Sequence, residues 1–217
     1  MEFDDISRLI KERRSIRKWQ KKEVPDDLLL KALELATWAP NGGNQQNWRF
    51  YIIKNEDVIT DIADTVCESG NKISSWPEAK EFSNIDANLG KRSSFFREAP
   101  VLVGVAMAKY QSHIDKILAA REETDPDAQN MRKWRNIAKT GIQSVASAVA
   151  YLLLILHQMG LGAVWMVGPI QAKEKIEKVL KIPSQLDLVA LIPVGYPAET
   201  PEIKTRKPVQ EISEIIR

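Results

Sequence analysis

The feature that most constrains this chain is an apolar run at residues 145–156, broken only by Ser147. It is too short to span a membrane, which takes roughly 20 residues. It lies in the second half of a helical pattern predicted over residues 131–159. A helix so apolar is expected to be buried nearly all round, at the centre of the molecule or at a subunit interface. Gly160 then supplies the natural residue just beyond its C-terminus.

The remaining pattern is built around that helix. A first helix starts near Asp4, with Phe3, Ile6, Leu9 and Ile10 on one face. A second follows Val24-Pro25-Asp26, with Leu28, Leu29, Ala32, Leu33, Leu35 and Ala36 inward, and stops at Pro40. Residues 48–54 and 163–167 read as strands, and so do the more apolar stretches 100–108 and 186–196. Helices are expected at residues 57–68 and 172–180, and partly within the charged stretch 109–136. Residues 69–98 carry Trp76, Phe82, Phe95 and Phe96 without a clear period, as a lid or a set of short helices would. The tail has a short amphipathic stretch at residues 209–216. With 217 residues and no internal repeat or linker, one domain over 1–217 is expected. Helices first, then strands and helices mixed, suggest an α+β sandwich.

Composition excludes several functions. The net charge of +2, from 31 basic and 29 acidic residues, gives no general attraction to nucleic acid. One cysteine, Cys67, and two histidines, His113 and His157, make a poor metal site and no internal disulfide. His157 reads as a core histidine, His113 as a surface residue and Cys67 as a small buried hydrophobe. The start of the chain shows no basic segment followed by an apolar run, so no secretory signal is expected. With the cysteine count, that suggests a cytoplasmic protein with no membrane partner. Gly-x-Ser-x-Gly, P-loop and His-Glu-x-x-His patterns are all missing from the sequence.

Four segments could carry chemistry. Arg13-Arg14-Ser15-Ile16-Arg17 ends the first helix. Its planar guanidinium donors match phosphate oxygens, although a solvated basic helix end is the simpler reading of the residues alone. Pro40-Asn41-Gly42-Gly43-Asn44-Gln45-Gln46-Asn47-Trp48 concentrates amides and glycines between a helix and a strand. Such a loop can approach a planar polar ligand, or simply turn the chain. Gly160-Leu161-Gly162-Ala163-Val164-Trp165 is not a dinucleotide fingerprint, since it follows a helix and enters a strand. Lys204-Thr205-Arg206-Lys207-Pro208 reads by itself as a basic turn.

Taken in order, these segments resemble the nitroreductase family of flavoproteins. The arginine run is similar to the family's Arg-Arg-Ser-x-Arg, and Asn44-Gln45-Gln46-Asn47-Trp48-Arg49-Phe50 to its Asn-x-Gln-Pro-Trp-x-Phe. Gly160-Leu161-Gly162-Ala163-Val164-Trp165 resembles its Gly-Leu-Gly-x-x-Trp. The Val24-Pro25 and Ala36-Thr37-Trp38-Ala39-Pro40 segments, Ile182-Pro183, the final strand and Arg206-Lys207-Pro208 also match in order. Asn41 stands where the family usually has serine, and Asn47 where it often has proline.

The resemblance implies a mixed sheet flanked by helices, in an intertwined homodimer with a long central helix and FMN at the interface. It places Arg13, Arg14, Ser15 and Arg17 at the FMN phosphate and ribityl end, with Arg206 and Lys204 meeting the same phosphate from the tail, residues 197–217, as an arm onto the partner. Pro40, Asn41, Gly42, Asn44 and Gln46 would reach FMN from the partner subunit. Val164, Trp165, Met166, Val167 and Gly168 would pass near the flavin ring, and Gln143 would line the pocket. The implied activity is ping-pong hydride transfer from NADPH or NADH through FMN to a nitroaromatic, quinone or similar flat acceptor, with no catalytic side chain required. The alternatives are a specialised relative (a reductive dehalogenase or a flavin-consuming enzyme), a non-catalytic flavin-binding protein, and a helical interaction protein.

Overall fold

A computed structural model describes residues 3–82 and 88–217; part of the expected 69–98 excursion and the first two residues lie outside them. Four strands form one antiparallel sheet in the order β1-β2-β4-β3: β1 Trp48–Ile53, β2 Val101–Ala108, β3 Gly162–Ala163 and β4 Leu186–Gly195. The mixed character expected of the sheet reduces, among the described residues, to a single parallel bridge, Ser15 to Ala163. β2 is bonded on both sides, and its first six residues are buried. Its side chains alternate between two cores, as the period of two requires. Leu102 joins Ile59, Ile62, Phe96, Ile176 and Leu191 on one face, and Val101, Val103 and Val105 join Leu29, Leu152, Leu156 and Ile192 on the other. Opposite Val105 and Ala106 the pairing skips Val189, a bulge that lets both Val189 and Ala190 face the second core.

Helices cover both faces. α1 (Phe3–Glu12) and α2 (Asp26–Ala36) open the chain. α2 buries Leu29, Ala32 and Ala36, while Leu35 stays exposed, and the helix ends before Pro40 is reached. α3 (Glu56–Ser74) starts where Asn55 Oδ1 accepts the Val58 N–H at 3.1 Å, and it runs beyond the predicted end at residue 68. Ile59, Ile62, Ala63, Val66 and Gly70 form its buried stripe. Cys67 sits beside that stripe, half-buried rather than buried. The excursion holds α4 (Leu89–Ser93) and two 3₁₀ turns, Pro77–Glu81 and Phe95–Glu98.

The long helix expected at 131–159 is instead two helices. α5 (His113–Arg121) and α6 (Pro126–Ala138) form a hairpin, and α7 (Thr140–Gln158) begins after Lys139, whose φ of 49° and ψ of 48° are left-handed. The helical pattern of residues continues across the join, but the backbone does not. The burial of α7 is also one-sided: Gly141, Ser144, Val145, Ala148, Val149, Leu152 and Leu156 face the core, while Ile142 and Tyr151 are exposed. Within residues 126–158 an 18-residue window with a mean hydropathy of 1.5 is long and apolar enough for a membrane span by composition, and 39% of that window is buried inside the fold, as in the core helix of a globular protein. α7 ends with the Leu161 N–H on Leu156 O at 2.8 Å and the Gly160 N–H on His157 O at 3.0 Å. Gly160 takes the φ of 76° that this cap requires.

The 3₁₀ turn Gly168–Ala172 leads into α8 (Lys173–Leu180), which buries Ile176 against α3 and the sheet. From residue 202 onward the tail is exposed, with only a 3₁₀ turn at Val209–Glu211. The amphipathic stretch therefore finds no cover on its own fold.

Candidate functional site

The arginine segment is fixed by two short ladders. Ser15 bridges Ala163, and the Ile16 N–H donates to Ala163 O at 3.1 Å. The Trp19 indole N–H donates to Gly162 O at 2.9 Å. This approach needs glycine at 162, because a Cβ there would stand 2.6 Å from Ile16 Cγ1. One turn further on, the Gln20 N–H donates to Tyr196 O and the Ala198 N–H to Lys18 O, both at 2.9 Å. Glu199 accepts the Arg17 main-chain N–H at 2.5 Å. Residues 15–20 thus lie between β3 and the start of the tail, so three segments distant in sequence share one edge.

That edge is cationic. Arg13 is half-buried, and its guanidinium holds its proton less tightly than usual because of burial first, then Arg14 and Arg206. None of the ion pairs among the described residues uses Arg13, Arg14, Arg17 or Arg206. Among the described residues Arg206 donates only to main-chain oxygens of Lys204 and Thr205, at 3.3 and 3.1 Å. Arg17 and Lys204 are exposed. Arg14 also serves the helix before it. Its two terminal nitrogens donate to Arg13 O and Lys11 O, each at 2.5 Å, and so close the C-terminus of α1. Its Nε is buried with no partner among the described residues. His157 borders this group, half-buried rather than in the core, with its proton affinity lowered by burial and then by Arg13.

Immediately beyond the Ser15 bridge, the chain alternates. Val164 and Met166 are buried; Trp165 and Val167 face outward. Met166 exchanges hydrogen bonds with Leu191 at 2.9 and 3.0 Å, which holds the segment flat along β4. Space around Gly168 is open. The arginine segment and residues 164–168 therefore form one continuous surface.

The amide loop lies elsewhere on the subunit, on the first half of α7. The Gly42 N–H donates to Ser144 Oγ at 3.1 Å, and Ser147 Oγ donates to Pro40 O at 2.6 Å. Asn41 braces the loop from within: Nδ2 donates to Ala39 O at 3.3 Å, and Oδ1 accepts the Gln46 N–H at 3.0 Å. Gln46 Nε2 reaches Asn44 Oδ1 at 3.3 Å. Gly43, Asn44 and Gln46 all take positive φ, of 59°, 51° and 45°. Asn47, buried, donates to Ala108 O at 3.1 Å. No hydrogen bond or ion pair among the described residues joins residues 40–47 to residues 13–17. Gln143 donates to Ala138 O, so it closes the end of α6. Sequence reasoning does not single out Ser144 and Ser147 as site residues; two hydroxyls three apart on an apolar helix are the available signal.

The family model described as "Nitroreductase family" matches residues 10–196. An iodotyrosine deiodinase of Thermotoga neapolitana is 31% identical over 198 residues, covering 87% of each chain. A BluB-like flavoprotein from Clostridium difficile 630 superposes with a TM-score of 0.81 and 28% identity over 100% of both chains. An iodotyrosine deiodinase bound to FMN and 3-iodo-L-tyrosine does so with a TM-score of 0.69 and 27% identity, covering 98% of this chain and 97% of that one.

Proposed function

This chain belongs to the nitroreductase family of flavin oxidoreductases, and from that premise we propose that it binds FMN at a homodimer interface and passes electrons from NADPH or NADH to a flat organic acceptor. The observation that carries the reading is the cationic edge. Arg13 and Arg206 stand near enough to repel each other, and none of the ion pairs among the described residues gives either a carboxylate partner. A phosphate of roughly two negative charges gives that arrangement a reason. FMN, when bound, supplies the hydride chemistry.

The chain's own residues position it. Arg13 and Arg206 hold the phosphate, Ser15 and Arg17 the adjoining hydroxyls, and Lys204 adds positive charge at the rim. Arg14 contributes mainly by fixing the carbonyls that end α1, with its remaining charge adding to the field. The backbone of Val164 to Gly168, one residue beyond the Ser15 bridge, would be the segment that adjoins the flavin, where main-chain donors would stabilise negative charge. Pro40, Asn41, Gly42, Asn44 and Gln46 act on the partner's cofactor. Their separation from residues 13–17 within one subunit supports a site completed by a second copy. The exposed tail, with Val209, Ile212 and Ile215 uncovered, supports an arm laid on the partner.

The test is the visible spectrum of the purified protein before and after anaerobic NADPH or NADH. A flavin spectrum that bleaches, and returns with a nitroaromatic or quinone, supports the reading; a colourless protein that takes up no FMN overturns it. Reductive dehalogenation of an aromatic substrate is the second reading, favoured by the deiodinase relative. Halide release under the same conditions distinguishes it.

A further inference from the structure

A cavity of about 290 Å³ opens between the α5–α6 hairpin, the first turn of α7 and the end of β2. It is small, near the lower end of ligand pockets at roughly 300 Å³. It adjoins the amide loop, since a Cβ on Gly42 would stand 2.8 Å from Tyr110 Cε2 and 3.0 Å from Thr140 Cγ2.

Its charges are unevenly satisfied. Asp115 is held by Arg135 at 2.7 Å, and Asp187 by Lys173 at 2.8 Å. Arg132 is paired with Glu122. The two cations left at the rim without an ion pair among the described residues are Lys109 and Lys139. Every carboxylate lining the cavity is therefore already neutralised, while two ammonium groups are not.

The first turn of α7 reinforces the same sign. Thr140, Gly141 and Ile142 line the cavity, and the helix has no side-chain cap at its start. Its first intrahelical bond is the Gln143 N–H on Lys139 O, so the preceding N–H groups are left for another acceptor. Beneath the floor lies the Asn47 amide, 3.3 Å through Nδ2 from the Cβ position of Gly141. That amide adds no donor for an anion, since its Nδ2 already donates to Ala108 O at 3.1 Å and its Oδ1 is an acceptor, so the positive character of the cavity comes from the lysines and the helix start. The Tyr110 ring and the side chains of Met107 and Ile142 supply the apolar surface.

We infer that this cavity takes a small aromatic monoanion, an aromatic carboxylate, with its ring against Tyr110 and its carboxylate between Lys109, Lys139 and the start of α7. A zwitterion fits worse, because no unpaired acid among the described residues lines the cavity to receive its ammonium group. Naming this ligand as the electron acceptor rests on the flavin reading above; its binding does not.

The test compares 4-nitrobenzoate, neutral 4-nitrobenzamide and zwitterionic 4-nitrophenylalanine, using the FMN-loaded protein. Calorimetry gives affinity, and anaerobic reoxidation of the reduced protein gives turnover. The variants are Lys109→Gln and Lys139→Asn, the second chosen because asparagine tolerates the left-handed backbone at 139 without bringing a charge. The expected result is that 4-nitrobenzoate binds most tightly. Each variant should weaken it by about fivefold, as a partly exposed ion pair or helix-end contact would, and leave the amide unchanged. Equal affinity for the three compounds, or a loss shared by the amide, overturns the proposal. If no acceptor is reduced but 4-nitrobenzoate binds with this lysine dependence, the binding site stands and the flavin reading fails. If acceptors are reduced without charge preference, the reverse holds.

Discussion

Arg206 of the tail stands close enough to Arg13 of the first segment to lower the proton affinity of that half-buried guanidinium. The ladders that bring the start of the tail to the first segment run from residue 15 to 163 and from residues 18–20 to 196–198. Arg206 lies beyond the last of these ladders in the exposed tail, and the repulsion between the two guanidiniums is one that an anion would relieve.

Arg13→Ala and Arg206→Ala should therefore each weaken FMN binding by about 1.5–3 kcal/mol, the size of a charge-assisted hydrogen bond. The apo protein should respond differently. Arg206→Ala removes a repulsion and no ion pair, so its apo melting temperature should hold or rise. Fluorescence titration of FMN and thermal melts of the apo form check the pair. Unchanged affinity in both variants would remove the phosphate assignment.

Gly162 tests the ladder itself. An added Cβ would meet Ile16 Cγ1, Cβ and Cγ2 at 2.6, 2.8 and 2.9 Å, and Ile16 is β-branched and stiff. Gly162→Ala should cost about 1–3 kcal/mol of stability, as overpacking does, and should also weaken FMN binding by displacing residues 13–17. Gly160→Ala is the control. Nothing stands within 4 Å of its Cβ, and only the φ of 76° is unfavourable, so about 1–2 kcal/mol should be lost without a change in FMN affinity. Urea unfolding beside flavin titration separates the two.

The residues legible in the sequence are those whose type is demanded locally. Gly160 has to follow α7, the apolar β2 has to be central, and the arginine run has to lie near an anion or water. The break at Lys139 gives no signal, because the helical pattern resumes at once and lysine is not a residue that marks a left-handed turn. For the same reason the pattern suggests an α7 buried all round, whereas Ile142 and Tyr151 show that its second face lacks cover within the chain. His157 is misplaced by its sequence context because an apolar helix suggests the core, while its position near the end of α7 brings it to Arg13. The loop's attachment to Ser144 and Ser147 is a long-range hydrogen-bond pattern, which no local period records.

His157 gives the edge a pH dependence. Burial, then Arg13, lower its proton affinity in the folded state below the unfolded value, so the unfolded chain binds more protons in that range. Stability should therefore fall as pH drops below about 6.5, the ordinary histidine value, and continue to fall until the folded group also titrates. His157→Gln should flatten this part of the profile. Denaturation midpoints at pH 5 to 8 for both proteins measure it; a midpoint that rises on acidification through that window contradicts the sign.

Ser144 carries the amide loop. It is buried, its Oγ donates to Thr140 O at 3.0 Å and it accepts the Gly42 N–H at 3.1 Å. Ser144→Ala leaves the Thr140 carbonyl within its helix, which costs little, but strands the Gly42 N–H, at a cost of about 1–3 kcal/mol if water cannot reach it. Ser147 is half-buried, so Ser147→Ala exposes Pro40 O to solvent and should cost less. If the loop acts on the partner's cofactor, Ser144→Ala should speed FMN release and raise amide exchange at residues 40–46 while α3 and β2 stay protected. Hydrogen exchange resolved by segment decides between this and a purely structural serine, which would lower protection across the whole chain and leave the FMN release rate unchanged.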